Sequence, residues 1–374
     1  MDKKFQRNVL LLSLVSFLND MSSEMILPIL PMFIVSLGGS SLWVGLIGGL
    51  RESIGSILKV FSGYFSDKTG KRKPFVFSGY SISSVFKLLL SFSKNSFQVL
   101  VFSSFERLGK GLRTAPRDAI LAESLPKERG KAFGVHRAFD TLGAIFGSVL
   151  VLFLLWLFVL EFQTIIFLSA LIGFCSLIPL WLVKEKRTKF KTRTRIKTLP
   201  KPLKKFLLVS GIFSLGNFSY MFFLLKSQEF FPLVWMPVVL YVVYNVFYSS
   251  LSIPFGKLSD RISRKYIIGL GYLLFSLTCF GFVFANSFSF FLLLFSLYGI
   301  VYAMIDGTQR ALVSDLSKFH GTGLGAFHTV TGLLALPASL IAGFLYQVNS
   351  SLTFVYGGIL GLLAGLFLFR LSTN

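Results

Sequence analysis

Charged residues are scarce in this chain. They form 14% of its 374 residues, where a soluble domain carries about a quarter. With 53% hydrophobic residues and a mean hydropathy of +0.72, folding in water would leave a large apolar surface exposed. The expected solvent is therefore the lipid bilayer. Cysteine is nearly absent. Cys175 and Cys279 stand alone in apolar runs, give no metal or redox spacing, and are expected to be small buried hydrophobes. There is no nucleophile elbow, no metal-spaced pairing of histidine and cysteine and no phosphate-binding loop. The chain is accordingly not expected to be an enzyme, and neither a cofactor nor a metal is expected. No ATP-binding domain is expected either, which leaves an ion gradient as the energy source.

Long apolar runs are abundant. A spanning helix needs about 20 mostly apolar residues. Twelve such runs lie at roughly 9–36, 42–66, 75–92, 97–121, 131–159, 164–183, 205–225, 230–255, 266–285, 289–314, 322–347 and 352–371. They are too long for barrel strands and lack sustained alternation. The first carries Asp20 and Glu24 and is too long for a cleaved signal peptide. The expected fold is an all-α membrane protein with twelve transmembrane helices.

Lysine and arginine mark the cytoplasmic side of a membrane protein. They cluster at Lys3, Lys4 and Arg7, at Lys68–Lys73, at Lys127, Arg129 and Lys131, at Lys184–Lys205, at Arg261, Arg264 and Lys265, and at Lys318. The turns Gly38–Ser41, Ser93–Ser96, Glu161–Gln163, Ala285–Ser287 and Asn349–Ser351 hold few bases, Lys94 being the exception. This alternation predicts both termini inside a cell membrane. It accounts for most of the net charge of +22 without a nucleic acid partner. The halves align with a shift of about 193 residues, which sets Asp67 on Asp260 and Arg117 on Arg310; one residue fewer sets Glu123 on Asp315. Two pseudo-repeated six-helix bundles are expected, 1–184 and 205–374, joined by a basic cytoplasmic linker, 185–204. Such a duplication is the signature of a two-bundle transporter.

Two turns carry the repeat. Gly63, Asp67, Gly70, Lys71, Arg72 and Lys73 follow the second run, and Gly256, Asp260, Arg261, Arg264 and Lys265 follow the eighth, with Ser263 in place of the glycine. With the twelve runs and the basic central loop, they resemble the major facilitator superfamily over essentially the whole chain. Arg107 and Gly111 resemble its fourth-span signature, which implies a proton-related role for the arginine. Gly143 and Gly147 resemble the glycine motif of drug-exporting antiporters, although Ser148 stands where that motif has proline. Within the superfamily the chain resembles a prokaryotic subgroup close to drug:proton antiporters. The resemblance implies alternating access, a single working chain, and a cytoplasmic latch at Asp67.

Ionisable groups at bilayer depth survive mainly inside bundles, paired or lining a wet cavity. Asp20 and Glu24 share one face of the first helix. Both charged, they repel, and exchange of a proton is what coupling needs; the alternative is structural ion pairing. Glu52 is a candidate partner for Arg107. Glu106, Lys110, Arg113 and Arg117 fall within an arc of about 60° on the fourth helix, with Arg107 and Asp118 beside it. These bases suit either an anionic substrate group or partners for Asp20, Glu24, Glu52 and Asp140. The lower part, Arg117, Asp118 and Glu123, suits a gate. His136 and Asp140 share a face with Gly143 and Gly147, and histidine ordinarily titrates near neutral pH. In the second half, Asp306 and Arg310 stand among Asn217, Tyr220, Tyr241, Tyr244, Asn245, Tyr298, Tyr302 and Gln309, a wall suited to an uncharged or aromatic part of a substrate.

The expected function is secondary transport of a small organic molecule, with proton-coupled export. Movement of an organic or inorganic anion, or of a lipid-like solute, is the alternative. Proton coupling falls to Asp20, Glu24, Glu52, Arg107 and Asp140. Substrate binding falls to Lys110, Arg113, His136, Asn217, Tyr244, Asp306 and Arg310. The cytoplasmic gate comprises Gly63, Asp67, Gly70, Arg72, Arg117, Asp118, Asp260 and Arg261. The charge pattern makes a direct prediction. In a chain freed of Cys175 and Cys279, an impermeant thiol reagent added to intact cells labels a cysteine placed at Ser287 and spares one placed at Thr192 until the membrane is opened.

Overall fold

The computed structural model describes residues 3–125, 129–185, 199–317 and 320–370. Lys127, Lys318 and the stretch 186–198 of the expected linker lie outside the described residues. Twelve passes are built from fifteen helices among those described. The first pass is α1 (Lys3–Ile26) with α2 (Leu30–Ser36). The next four are α3 (Ser41–Thr69), α4 (Lys73–Ser91), α5 (Ser96–Ser124) and α6 (Arg129–Trp156). The sixth is α7 (Phe162–Cys175) with α8 (Leu177–Trp181), and the seventh is α9 (Lys201–Gly216) with α10 (Met221–Phe230). The last five are α11 (Trp235–Arg261), α12 (Arg264–Phe284), α13 (Phe288–Asp315), α14 (His320–Val348) and α15 (Ser350–Arg370). Among the described residues no strand occurs.

Nine of these passes are long and apolar enough, by length and composition, to cross a membrane. The other three are α3, α4 and α5, whose apolar runs are broken by Arg51, Glu52 and Lys59, by Lys87, and by Glu106, Arg107, Lys110 and Arg113. The first pass breaks where Pro28 and Pro31 lack the N–H groups that would bond the Glu24 and Leu27 carbonyls. The seventh breaks over Asn217–Tyr220, close to the position the repeat makes equivalent.

The chain divides into two compact units, Met1–Gly38 with Ile54–Thr194, and Gly39–Ser53 with Arg195–Asn374. The first half of α3 thus packs with the second unit. There Ser41 Oγ donates to the Gly343 carbonyl (2.9 Å) and Ser53 Oγ to the Gly332 carbonyl (2.6 Å). Helix pairings repeat between the units. In the first, α1 packs on α6 and α7, and α4 on α5 and α7; in the second, α9 packs on α14 and α15, and α12 on α13 and α15. Even the caps repeat: Asn95 Oδ1 accepts from the Gln98 N–H and Ser287 Oγ from the Phe290 N–H.

Large apolar side chains cover the outside. Trp181 is 74% exposed and Phe344 61%, as a surface solvated by lipid tails requires. Cys279 is buried as expected, but Cys175 is exposed; an apolar exterior suits a thiol as well as a core does. Small residues bring the helices close. A Cβ on Gly143 would lie 2.4 Å from the Phe17 carbonyl oxygen, and one on Gly147 2.3 Å from that of Met21. Gly70 ends α3 with φ +67°, a left-handed conformation that glycine adopts at little cost. The second turn has no such demand, since Ser263 has φ −51°; this is why serine serves there.

Gly143→Leu and Gly147→Leu should each cost about 1–3 kcal/mol through overpacking against α1, lowering the melting temperature of the protein in detergent. Gly134→Ala, with no atom near its added methyl, should leave it unchanged or raised.

Candidate functional site

The interior of the first unit is a polar seam between α1, α4, α5, α6 and α7. Ser22 and Ser169 lock α1 to α7 by donating to each other's carbonyls at 2.6 and 2.7 Å. Beside them Lys87, 1% exposed, donates to the hydroxyls of Ser22 (2.8 Å) and Ser23 (2.9 Å). Arg113, 2% exposed, donates to Ser83 Oγ (2.7 Å), and its guanidinium carbon lies 4.3 Å from the centre of the Tyr80 ring. Ser83 in turn donates to the Glu106 carbonyl at 2.9 Å. Each cation is therefore held by neutral groups on the opposite helix face.

The candidate residues assemble around this seam. Asp20 and Glu24 are half-buried on α1. Asp20 accepts from Asn19 Nδ2 at 3.4 Å and lies in the electrostatic field of Asp140, Lys110, Arg113 and Arg117. Arg107 lies 3.6 Å from Glu106. Arg117 makes two bonds to Asp118 Oδ1, at 3.0 and 2.9 Å, and a third to Ser16 Oγ at 3.2 Å. His136 Nδ1 lies 3.4 Å from Asp140 Oδ2. Glu52 is exposed and sits on the stretch of α3 that packs with the second unit. Lys87 was not singled out from the sequence, although a lone lysine in the apolar run 75–92 was the signal that would have found it.

In the second unit, Asp306 Oδ2 receives Tyr248 OH (2.8 Å) and Arg310 Nη2 (2.8 Å). Tyr302 OH donates to Asn217 Oδ1 at 3.0 Å, across the break in the seventh pass. The rings of Tyr244, Tyr248 and Tyr302 pack with centroids 6.0–6.3 Å apart. Tyr248 was also missed, though it stands one helical turn from Tyr244. Gln309 Nε2 bonds Tyr272 OH at 2.9 Å, away from this wall.

The two repeated turns form the same clip. Arg72 reaches Asp67 (2.9 Å) and Glu123 (2.5 Å), and its backbone N–H bonds Glu185. Arg264 reaches Asp260 (2.9 Å) and also Asp315. Gly63 lets α3 approach α5, a Cβ there lying 3.3 Å from that of Ala115. Arg261 is exposed. Among the described residues no three histidine, cysteine or carboxylate side chains are placed to hold a metal ion.

An apolar exterior around two repeated helical units, each carrying charge inside, defines a multi-pass membrane transporter. Residues 12–245 and 235–373 match the family model described as Major Facilitator Superfamily, and the chain belongs to that family. It is 53% identical over 379 residues to the uncharacterised MFS-type transporter MJ1317 of Methanocaldococcus jannaschii, covering 98% of this chain and 95% of that protein. It is 31% identical to the multidrug resistance protein MdtH of Blochmanniella pennsylvanica over 145 residues, 38% of this chain and 35% of that protein. Among solved structures, the nucleoside transporter NupG superposes with a TM-score of 0.80 at 12% identity over 98% of this chain and 100% of that one. A D-xylose-proton symporter does so at 0.79 and 14% identity over 98% of each chain. At those identities the likeness is one of fold. The family makes the chain a transporter and not an enzyme.

The clips differ in burial: the Arg72 side chain is 7% exposed, whereas Arg264 is 23% exposed with acids at 68% and 55%. Arg72→Ala should therefore cost about 1.5–3 kcal/mol and Arg264→Ala about 0.2–1 kcal/mol, read as melting temperatures in detergent. Arg72→Lys should recover only part of the loss, since one ammonium does not reproduce the guanidinium fork.

Proposed function

We propose that the chain is a proton-coupled secondary transporter that exports small organic molecules by alternating access, with the basic 185–204 linker and both termini in the cytoplasm. The observation that carries this reading is Asp20, half-buried on α1 one turn from Glu24, in the field of Asp140 and of three bases on α5. A carboxyl so placed has a protonation state that answers to its surroundings, which is what coupling requires. Arg107 beside Glu106, and Asp140 beside His136, are the groups that would feel its charge change. In the second unit the Tyr244, Tyr248 and Tyr302 rings, Asn217 and the Asp306–Arg310 pair supply stacking faces and polar contacts for a guest. Partial likeness to a multidrug resistance protein supports export. The Asp67–Arg72–Glu123 clip, whose arginine is buried, supports a latch that must open and close during the cycle.

The test uses proteoliposomes and a substrate found by thermal-shift screening of the purified protein. An inward-directed proton gradient should drive that substrate outward. An Asp20→Asn, Glu24→Gln double variant should lose gradient-driven movement while keeping binding within about tenfold, or 1.4 kcal/mol. Undiminished coupling in that variant would sink the carboxylate assignment.

A further inference from the structure

Three basic side chains inside the first unit meet an acid at contact distance: Arg107 meets Glu106, Arg117 meets Asp118 and His136 meets Asp140. Lys110 does not. It is half-buried, and among the described residues its ammonium makes neither a hydrogen bond nor an ion pair. Its foremost charged neighbours are Arg107, Asp20, Arg113 and Lys59, three cations and one acid. One turn further along α5, Arg113 is held only by the Ser83 hydroxyl and the Tyr80 ring. Across from them Lys87 spends its contacts on two serine hydroxyls. Cations in a medium of low dielectric are costly until an anion joins them; against these three the protein sets the half-buried Asp20 and the buried Glu106, which already lies 3.6 Å from Arg107.

We infer that the guest of this seam is an organic anion, its carboxylate, sulfonate or phosphonate seated on Lys110 with Arg113 behind. The inference rests on the seam being the transport site, not on the direction of transport. It also fixes a sense of coupling. Asp20 faces Asp140 and His136 from α6, Lys110, Arg113 and Arg117 from α5, and Lys87 from α4. A charged Asp20 and a bound anion compete for the same cations, so a proton on Asp20 favours the anion and the anion favours the proton, by equal factors.

The experiment measures binding to the full-length protein in nanodiscs by thermal shift. The probes are benzoate, benzenesulfonate and benzylphosphonate, against neutral benzamide and benzenesulfonamide and cationic benzyltrimethylammonium. At least one anion should raise the melting temperature where its neutral counterpart does not, and its binding should tighten on mild acidification. Lys110→Met should weaken that binding about tenfold or more, the loss of one charge-assisted contact. Lys110→Arg should retain it, and Asp20→Asn should remove the pH dependence. Lys110 contacts no other side chain through its charge, so Lys110→Met is expected to fold. Arg113→Lys is the second variant and should weaken anions alone. Stabilisation by the neutral or cationic probes alone, by no anion, or undiminished in Lys110→Met would overturn the inference. Anion binding without gradient-driven export would leave it standing and remove the export reading; gradient-driven export of a neutral or cationic guest would do the reverse.

Discussion

A charge placed at bilayer depth must find compensation inside the protein, and that requirement organises this molecule. Lipid offers neither hydrogen bonds nor counter-ions, so most ionic groups buried on α1, α4, α5 and α6 are answered by a hydroxyl, an aromatic face or an opposite charge. Serine does much of this in the first unit: Ser16, Ser22, Ser23 and Ser83 each accept from a cation. Neutral partners leave the charge in place while removing its desolvation cost only in part. The result is an interior in which Lys87 and Arg113 rest on neutral partners while Arg107 and Arg117 close on acids.

The two units meet the requirement differently. The first concentrates ions, while the second relies on aromatic rings and hydroxyls around one acid–arginine pair, Asp306 and Arg310. The scaffold is nonetheless repeated, down to the helix pairings, the polar caps on α5 and α13, and the arginine clips at the two turns. Duplicated architecture with divergent interiors fits a family whose fold is shared by transporters of a nucleoside and of a sugar.

Much of this was legible in the sequence. Twelve apolar runs gave twelve passes, nine of them apolar enough by length and composition and three carrying interior charges, and the breaks follow Pro28, Pro31 and Asn217. The repeat set Asp67 on Asp260 at a shift of 193 and Glu123 on Asp315 at a shift of 192, and the acids of the two clips are those equivalent residues. The partners inside the first unit were less legible. Which of several bases meets which acid depends on helix rotation and on side-chain reach, so Arg117 closing on its own neighbour Asp118 is invisible to spacing. Lys87 and Tyr248 were overlooked for a related reason: each is a single polar residue in a greasy run, and only the facing helix gives it a purpose. The split of α3, whose first half packs with the second unit, has no local signature at all, because small residues such as Gly45, Gly48 and Gly49 read equally as ordinary helix packing.

The interruptions at 27–29 and 217–220 carry a mechanical consequence. A continuous helix bends as a stiff rod, whereas one cut by prolines or by a non-helical asparagine behaves as two rods joined by a hinge. The piece of α1 that bears Asp20 and Glu24 is clamped to α6 at Gly143 and Gly147, so a bend at the prolines would move α2 without disturbing those carboxylates. A bend beside Asn217 would likewise turn α10 relative to α9. Each unit thus has an elbow in its first pass, and in the first unit a shift of the far end would leave the ionic interior its shape.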